Sequence, residues 1–151
     1  MKVGILMGST SDESKMQKAK ETLEEFGIEY DWRVLSAHRN PEQVVELVSS
    51  ARENGYVAFI CGAGMAAHLA GVVAAHTTLP VVGVPMSGGS LNGQDALYAT
   101  VQMPKGVPVA TMSVGKSGMI NAAILCAEIF ALNNSETIDK LKEFKSKGAK
   151  L

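Results

Sequence analysis

The chain predicts an α/β protein, a parallel sheet sandwiched between two layers of helices. Three observations carry that prediction. Apolar runs short enough to be buried strands alternate with segments of helical apolar spacing. Glycine and proline stand at the junctions between them. The 151 residues are enough for one full core but not comfortably for two. Five strands alternating with helices make a three-layer α/β/α sandwich with right-handed crossovers. The expected domain is 1–151, with a sheet portion at 1–132 and an extra C-terminal helix at 135–147.

Val3–Met7 is the first strand, closed by Gly8. In the helix that follows, Met16, Ala19, Leu23 and Phe26 share one face, charged residues lie opposite, and Gly27 stops it. Thr10 and Glu13 have the spacing of a capping box at its start. Ile28–Leu35 reads as the second strand. Asn40 and Pro41 then provide an N-cap and a first-turn proline for a helix over 41–53, ending near Gly55.

Tyr56–Cys61 is the third strand, and Gly62-Ala63-Gly64 a tight exit into a helix over 65–76. Pro80 precedes the fourth strand, Val81–Val84, which Pro85 closes. Met86–Gly93 is a flexible loop containing Gly88, Gly89 and Gly93. A helix over 94–101 leads through Pro104 and Pro108 to a fifth strand at 109–114. Helices at 117–132 and 135–147 end the chain, the second capped by Ser135. That last helix has two open positions: a flank of its own domain or a neighbouring subunit.

Composition narrows the function classes. A net charge of −1 with 19% charged residues excludes a nucleic-acid surface or an acidic tail. The clustered lysines Lys140, Lys142, Lys145, Lys147 and Lys150 complement a helix C-terminus. Cys61 and Cys126 lie in apolar segments, as small buried thiols do, not as a disulfide framework. There is no secretory pattern and no apolar run long enough to span a bilayer, so a cytoplasmic protein without membrane partners is expected. The apolar fraction of 46%, concentrated in 63–75 and 117–132, predicts association with further copies of the chain.

Two loops carry the chemistry. Gly8-Ser9-Thr10-Ser11-Asp12 follows the first strand and opens a helix. Glycine permits close backbone approach, Ser9 and Ser11 supply hydroxyls, and a helix start favours an anion. Asp12 cannot assist a phosphate but accepts from ribose hydroxyls. Plain helix capping accounts for the same residues equally well. Ser36-Ala37-His38-Arg39, after the second strand, shifts the balance: in a parallel sheet it converges on the same edge. Arg39 brings a guanidinium for the phosphate, and His38 an imidazole that moves protons near neutral pH.

A third run, Gly62-Ala63-Gly64-Met65-Ala66-Ala67-His68-Leu69, lets a flat ligand lie against backbone, although close helix–sheet packing explains its alanines too. His68 either contacts ligand or caps its own helix, and His76 belongs at the helix C-terminus. The three histidines lack metal-site spacing and no carboxylate pairs with them, so no metal is expected. Gly115-Lys116-Ser117 mimics the end of a phosphate loop, but Ala110 occupies its first glycine position. A receiver-type acid is missing at Cys61-Gly62, and nothing flanks a flavin.

Taken together these runs resemble the PurE family, the N5-carboxyaminoimidazole ribonucleotide mutases of purine biosynthesis. Leu79-Pro80-Val81-Val82-Gly83-Val84-Pro85 and Val101-Gln102-Met103-Pro104 add to the resemblance, which extends from about residue 3 to about residue 132. It implies a flavodoxin-like fold, a homo-octamer with sites at subunit contacts, and a small ribonucleotide substrate. It further implies carboxylate transfer from N5 to C4 of the aminoimidazole without metal, ATP or biotin. By position, Ser9 and Arg39 would bind the 5′-phosphate with Ser11 and Ser36 nearby, and Asp12 the ribose. Gly64, Ala66, His68 and Leu69 would line the base and carboxylate pocket, and His38 would be the general acid and base. The glycine-rich 86–93 segment is the expected closing loop.

The chain departs from the family pattern at Met65, where glycine is usual, at Ala70, where proline is, and at Asn92 and Ala96 in place of small hydroxyl residues. Arg39 and the Gly-Ala-Gly…Ala-Ala-His run favour the mutase over relatives that carboxylate aminoimidazole ribonucleotide directly with CO2. A non-catalytic nucleotide-binding module is the alternative of a different class.

Overall fold

Lys2–Met7 forms β1, and a computed structural model of the chain describes it together with the rest of residues 1–150. Leu151, the last residue of the expected domain, lies outside the described residues. After β1 come a 3-10 turn at Thr10–Asp12, α1 (Glu13–Glu25), β2 (Glu29–Val34) and α2 (Pro41–Ser49). Next are β3 (Tyr56–Gly64), α3 (Leu69–His76), β4 (Val81–Met86) and α4 (Gln94–Val101). β5 (Ala110–Thr111), α5 (Lys116–Ala131) and α6 (Ser135–Ser146) complete the order.

The strands pair in parallel in the order β2-β1-β3-β4-β5, the flavodoxin-like arrangement of a doubly wound sheet. The order reverses at β1, so β2 and β3 leave it on opposite sides and a crevice opens beyond their C-terminal ends. The two sides of the sheet bury separate clusters. Val3, Ile5 and Met7 of β1 pack with Met16, Ala19 and Leu23 of α1 and Met119, Ala122 and Cys126 of α5. Leu6, Phe59 and Cys61 face Val44 and Val48 of α2 and Leu69, Ala70 and Val73 of α3. Alternating strand residues thus feed opposite layers, which is the three-layer sandwich the sequence predicts.

Helix α6 lies on a flank of its own chain. Phe144 meets Phe26 edge to face at 5.6 Å between ring centroids, Leu141 is buried, and Lys140 Nζ donates to the Phe26 carbonyl at 3.3 Å. Its cap is Asn134, whose Oδ1 accepts from Thr137 N at 2.9 Å, one residue earlier than the expected Ser135, which is the first helical residue. Among the described residues no helix is long and apolar enough to cross a membrane.

The other differences from expectation sit at element ends. Helix α2 stops at Ser49, short of the expected 53, and β5 shrinks to Ala110–Thr111. β3 runs on through Gly64 because Ala63 and Gly64 still pair with Pro85 and Met86 of β4. Helix α3 therefore starts at Leu69, four residues later than the expected 65, and that delay shapes the site described below.

Backbone approach is closest at Gly118, where a Cβ would overlap the Ser113 carbonyl in the loop before α5. Gly118→Ala is expected to cost about 3 kcal/mol or more by overpacking against backbone. At Gly71 the nearest atoms belong to the flexible end of Met103, with Sδ at 3.2 Å, so Gly71→Ala should stay within about 1 kcal/mol of wild type. Urea unfolding of the two variants checks the contrast; equal stability would contradict the packing described.

Candidate active site

Four loops at the C-terminal ends of β1, β2, β3 and β4 enclose a cavity of about 460 Å³. Its lining includes Ser9, Ser11 and Asp12 from the first loop, Ser36, His38 and Arg39 from the second, and Gly64, Ala66, His68 and Leu69 from the third. The ten residues expected to form the site therefore line one cavity. The lining also includes Lys15, Met65 and the Ser87–Gly89 segment.

In the first loop Ser9 has extended backbone and caps the 3-10 turn, its Oγ accepting from Ser11 N at 3.2 Å and lying 2.8 Å from Ser11 Oγ. Asp12 then occupies the N-cap position of α1 without a side-chain cap bond. The Thr10–Glu13 capping box does not form, because the turn consumes Thr10 and puts Ser9 at the cap. Freed from capping, the Asp12 carboxylate turns into the cavity wall. Burial raises its pKa above the ordinary aspartate value, and Lys15, 4.0 Å away, partly offsets this.

The second loop is built around Ser36, which is buried. Its Oγ accepts from both His38 N and Arg39 N at 3.2 Å, a hydroxyl turn that orients two functional residues at once. Asn40 does not cap α2 with its side chain; its Oδ1 instead accepts from Ser36 N at 3.5 Å. Pro41 opens the helix, as expected. Arg39 is exposed, and among the described residues no carboxylate lies within ion-pair distance of it. Its guanidinium is free for an external anion.

In the third loop Met65 takes a left-handed φ of 52°, ending β3 where glycine would be unstrained. Ala67 N and His68 N then bond back to Met65 O and Ala66 O at 2.9 and 2.8 Å, and His68 becomes the residue before the first turn of α3. From there its ring reaches across the cavity. His68 Nδ1 and His38 Nε2 are 2.8 Å apart, with the rings edge to face at 73°. Of its two possible roles His68 takes the one facing the cavity, since its side chain makes no cap bond. One imidazole donates and the other accepts, which links the two rings within the cavity.

Among the described residues no group of three or more His, Cys, Asp or Glu is placed to hold a metal ion. Cys61 and Cys126 are free and buried, and burial pushes the Cys126 thiol up to about 12. His76 lies apart, with Arg52 and Thr78, at the C-terminal end of α3. Lys15 escaped the sequence reading. Its only signal was a cation in a helical first turn, three residues beyond Asp12, where the macrodipole disfavours positive charge.

A flavodoxin-like sheet with hydroxyls, a guanidinium and paired imidazoles at its switch point belongs to the class of doubly wound α/β proteins whose cavity lies beyond the strand C-termini. The family profile described as AIR carboxylase matches residues 2–150, and the chain belongs to that family. Curated relatives include the N5-carboxyaminoimidazole ribonucleotide mutase of Vibrio cholerae, 48% identical over 97% of this chain and 91% of the relative. The Bacillus subtilis enzyme of the same name is 50% identical over 93% of this chain and 87% of its own length. Among solved structures, Treponema denticola PurE superposes with a TM-score of 0.87 at 33% identity, covering 97% of this chain and 90% of that one.

Two outcomes test this geometry. Because burial raises the Asp12 pKa, its ionisation opposes folding at neutral pH, a penalty that disappears as pH falls below the unfolded value. Asp12→Asn should therefore melt at or above the wild-type Tm at pH 7; a fall of about 4 °C or more, of the order of 1 kcal/mol, contradicts it. Met65 is 62% exposed, so Met65→Gly loses little burial and relieves left-handed strain. Its stability should stay within about 1 kcal/mol of wild type or rise, by denaturant midpoint, and a larger loss would show that the φ is not strained.

Proposed function

We propose that this chain is an N5-carboxyaminoimidazole ribonucleotide mutase of purine biosynthesis. The observation that carries the reading is the 2.8 Å bond between His38 and His68 in a cavity that Ser9 and Arg39, which has no carboxylate partner among the described residues, also line. The high identity to curated mutases over nearly the whole chain supports the same assignment.

In this reading the 5′-phosphate sits between the Ser9 and Ser11 hydroxyls, the helix start that follows them and Arg39. Asp12, deprived of a cap bond, accepts from the ribose hydroxyls. The imidazole base lies against Gly64, Ala66 and Leu69, where small side chains leave room for a flat ring. Ser36 holds His38 and Arg39 in register through its buried hydroxyl. Chemistry then needs one mobile proton. Protonated His38 delivers it to N5 as the N–carboxylate bond breaks, leaving aminoimidazole ribonucleotide and CO2. C4 attacks the CO2, and neutral His38 removes the C4 proton, restoring the starting ionisation. An imidazole serves in both directions, as acid and then as base. His68, bonded to His38, orients the ring and shares the proton between the two half-reactions.

The proposed setting is the cytoplasm, and the proposed assembly is a homo-octamer. Leu91, Tyr98 and Val101, in and just before α4, are 56%, 56% and 47% exposed and give an apolar face that a second copy would cover.

Purified protein supplied with N5-carboxyaminoimidazole ribonucleotide and no bicarbonate should form the C4-carboxylated product. Strict dependence on added CO2 would indicate a carboxylase, and no turnover a binding module. His38→Asn should lower kcat by about 10³-fold with ligand affinity nearly intact. Arg39→Ala should raise KM by about 10- to 100-fold, the worth of a charge-assisted bond. Wild-type turnover in His38→Asn refutes the proton-transfer role.

A further inference from the structure

Lys15 stands in the first turn of α1, a position where the helix dipole repels a cation. Its ammonium nevertheless lies near two oxygens from separate elements, both of which line the cavity. One is Asp12 Oδ1 at 4.0 Å, on its own element; the other is the Ser87 carbonyl at 3.1 Å, 72 residues away. Ser87 is the first residue beyond β4 and enters a stretch with no regular structure until Gln94. Gly88 lies beside the ammonium: a Cβ there would have Lys15 Nζ, 3.9 Å away, as its nearest neighbour. Gly89 follows with a left-handed φ of 64°, flanked on its far side by Met65, whose Cγ is 3.4 Å from the position of a Cβ.

A segment rich in glycine loses much conformational entropy when ordered. Here the Lys15 side chain links it by a hydrogen bond to the start of α1, and that bond uses a backbone carbonyl, which any residue at position 87 would provide.

We propose that Lys15 is a positioning residue for the reaction, tying the Ser87–Gly89 segment to the ribose-binding loop so that this segment forms a closed wall of the reaction cavity. The inference rests on the mutase reading and deepens it. Between the half-reactions the transferred group is CO2, which is neutral and makes no ion pair. Only a wall retains it long enough for C4 to attack. Loosening the wall should therefore let CO2 exchange with solvent, leaving substrate binding less affected than retention. The burial-raised Asp12 pKa is a second, independent reason to keep a cation here, since the ionised carboxylate is the form that accepts from a ribose.

The test uses Lys15→Met, which keeps the aliphatic stem and removes the charge, and Lys15→Arg, which restores a cationic donor. Each enzyme is given N5-carboxyaminoimidazole ribonucleotide in buffer containing ¹³C-bicarbonate and carbonic anhydrase, and unlabelled and labelled product and free aminoimidazole ribonucleotide are measured. Lys15→Met should lose about tenfold in kcat, with a smaller rise in KM. It should also show several-fold more label in product or more free decarboxylated nucleotide, and Lys15→Arg should recover most of both. Wild-type retention in Lys15→Met overturns the proposal, as does lost activity with unchanged leakage. An intact melting transition in each variant separates these results from misfolding. A wild-type enzyme inert on this substrate overturns the mutase reading itself, and the inference falls with it.

Discussion

Everything at the cavity depends on the double register of β1. Met7, its last residue, pairs with Val34 on one side and Gly62 on the other, so the first three strands reach the C-terminal edge of the sheet together. Leu35 N donates to Met7 O at 2.8 Å and extends that alignment one residue further. Loops separated by some thirty residues in sequence are thereby delivered to a common level, one of them an anion-type turn and the others bearing imidazoles. Register in such a strand is strongly specified, because Ile5, Leu6 and Met7 are fully buried against different layers. A slip by one residue would send each into the wrong core.

On that frame the site combines rigid and compliant parts. The rigid parts are short turns closed by their own side chains: Ser9 over Ser11, and Ser36 over His38 and Arg39. Each spends a hydroxyl on backbone so that the neighbouring functional group is aimed without further support. The compliant part is the glycine-bearing segment after β4, which has no ladder or helix to define it. Local costs collect around the same cavity: a carboxylate with a raised pKa, a left-handed methionine, a lysine at a helix start. Strain and unfavourable charge gathered in one place, with a well-packed core beneath, are what a binding site imposes on a fold.

Much of this was legible in the sequence, for identifiable reasons. Buried strands such as Val3–Met7 and Val81–Val84 are continuous apolar runs, and the α1 stripe of Met16, Ala19 and Leu23 is a clean helical period. The convergence of Ser9, Asp12, His38 and Arg39 followed from parallel topology alone. Less was legible where local sequence permits two conformations. Gly62-Ala63-Gly64 reads as a turn, yet its residues continue β3 because β4 offers them partners. The break falls instead at Met65, a residue that seldom takes positive φ, so the late start of α3 was hidden. That delay is what carries His68 to His38, and no spacing rule links residues thirty apart. Capping was misplaced for a related reason. Ser9, Thr10 and Asp12 are all capping residues, and only tertiary contact decides which one is used.

In the proposed enzyme the β1–α1 and β2–α2 loops form one phosphate cup with the His38–His68 pair at its edge. A crystal structure with the C4-carboxylated ribonucleotide bound tests it most directly. Phosphate oxygens are expected within hydrogen-bond distance of Ser9 Oγ and the Arg39 guanidinium, and the ring carbon bearing the carboxylate beside the His38 imidazole. A phosphate bound elsewhere on the sheet edge, or an imidazole pair facing away from the base, would contradict it.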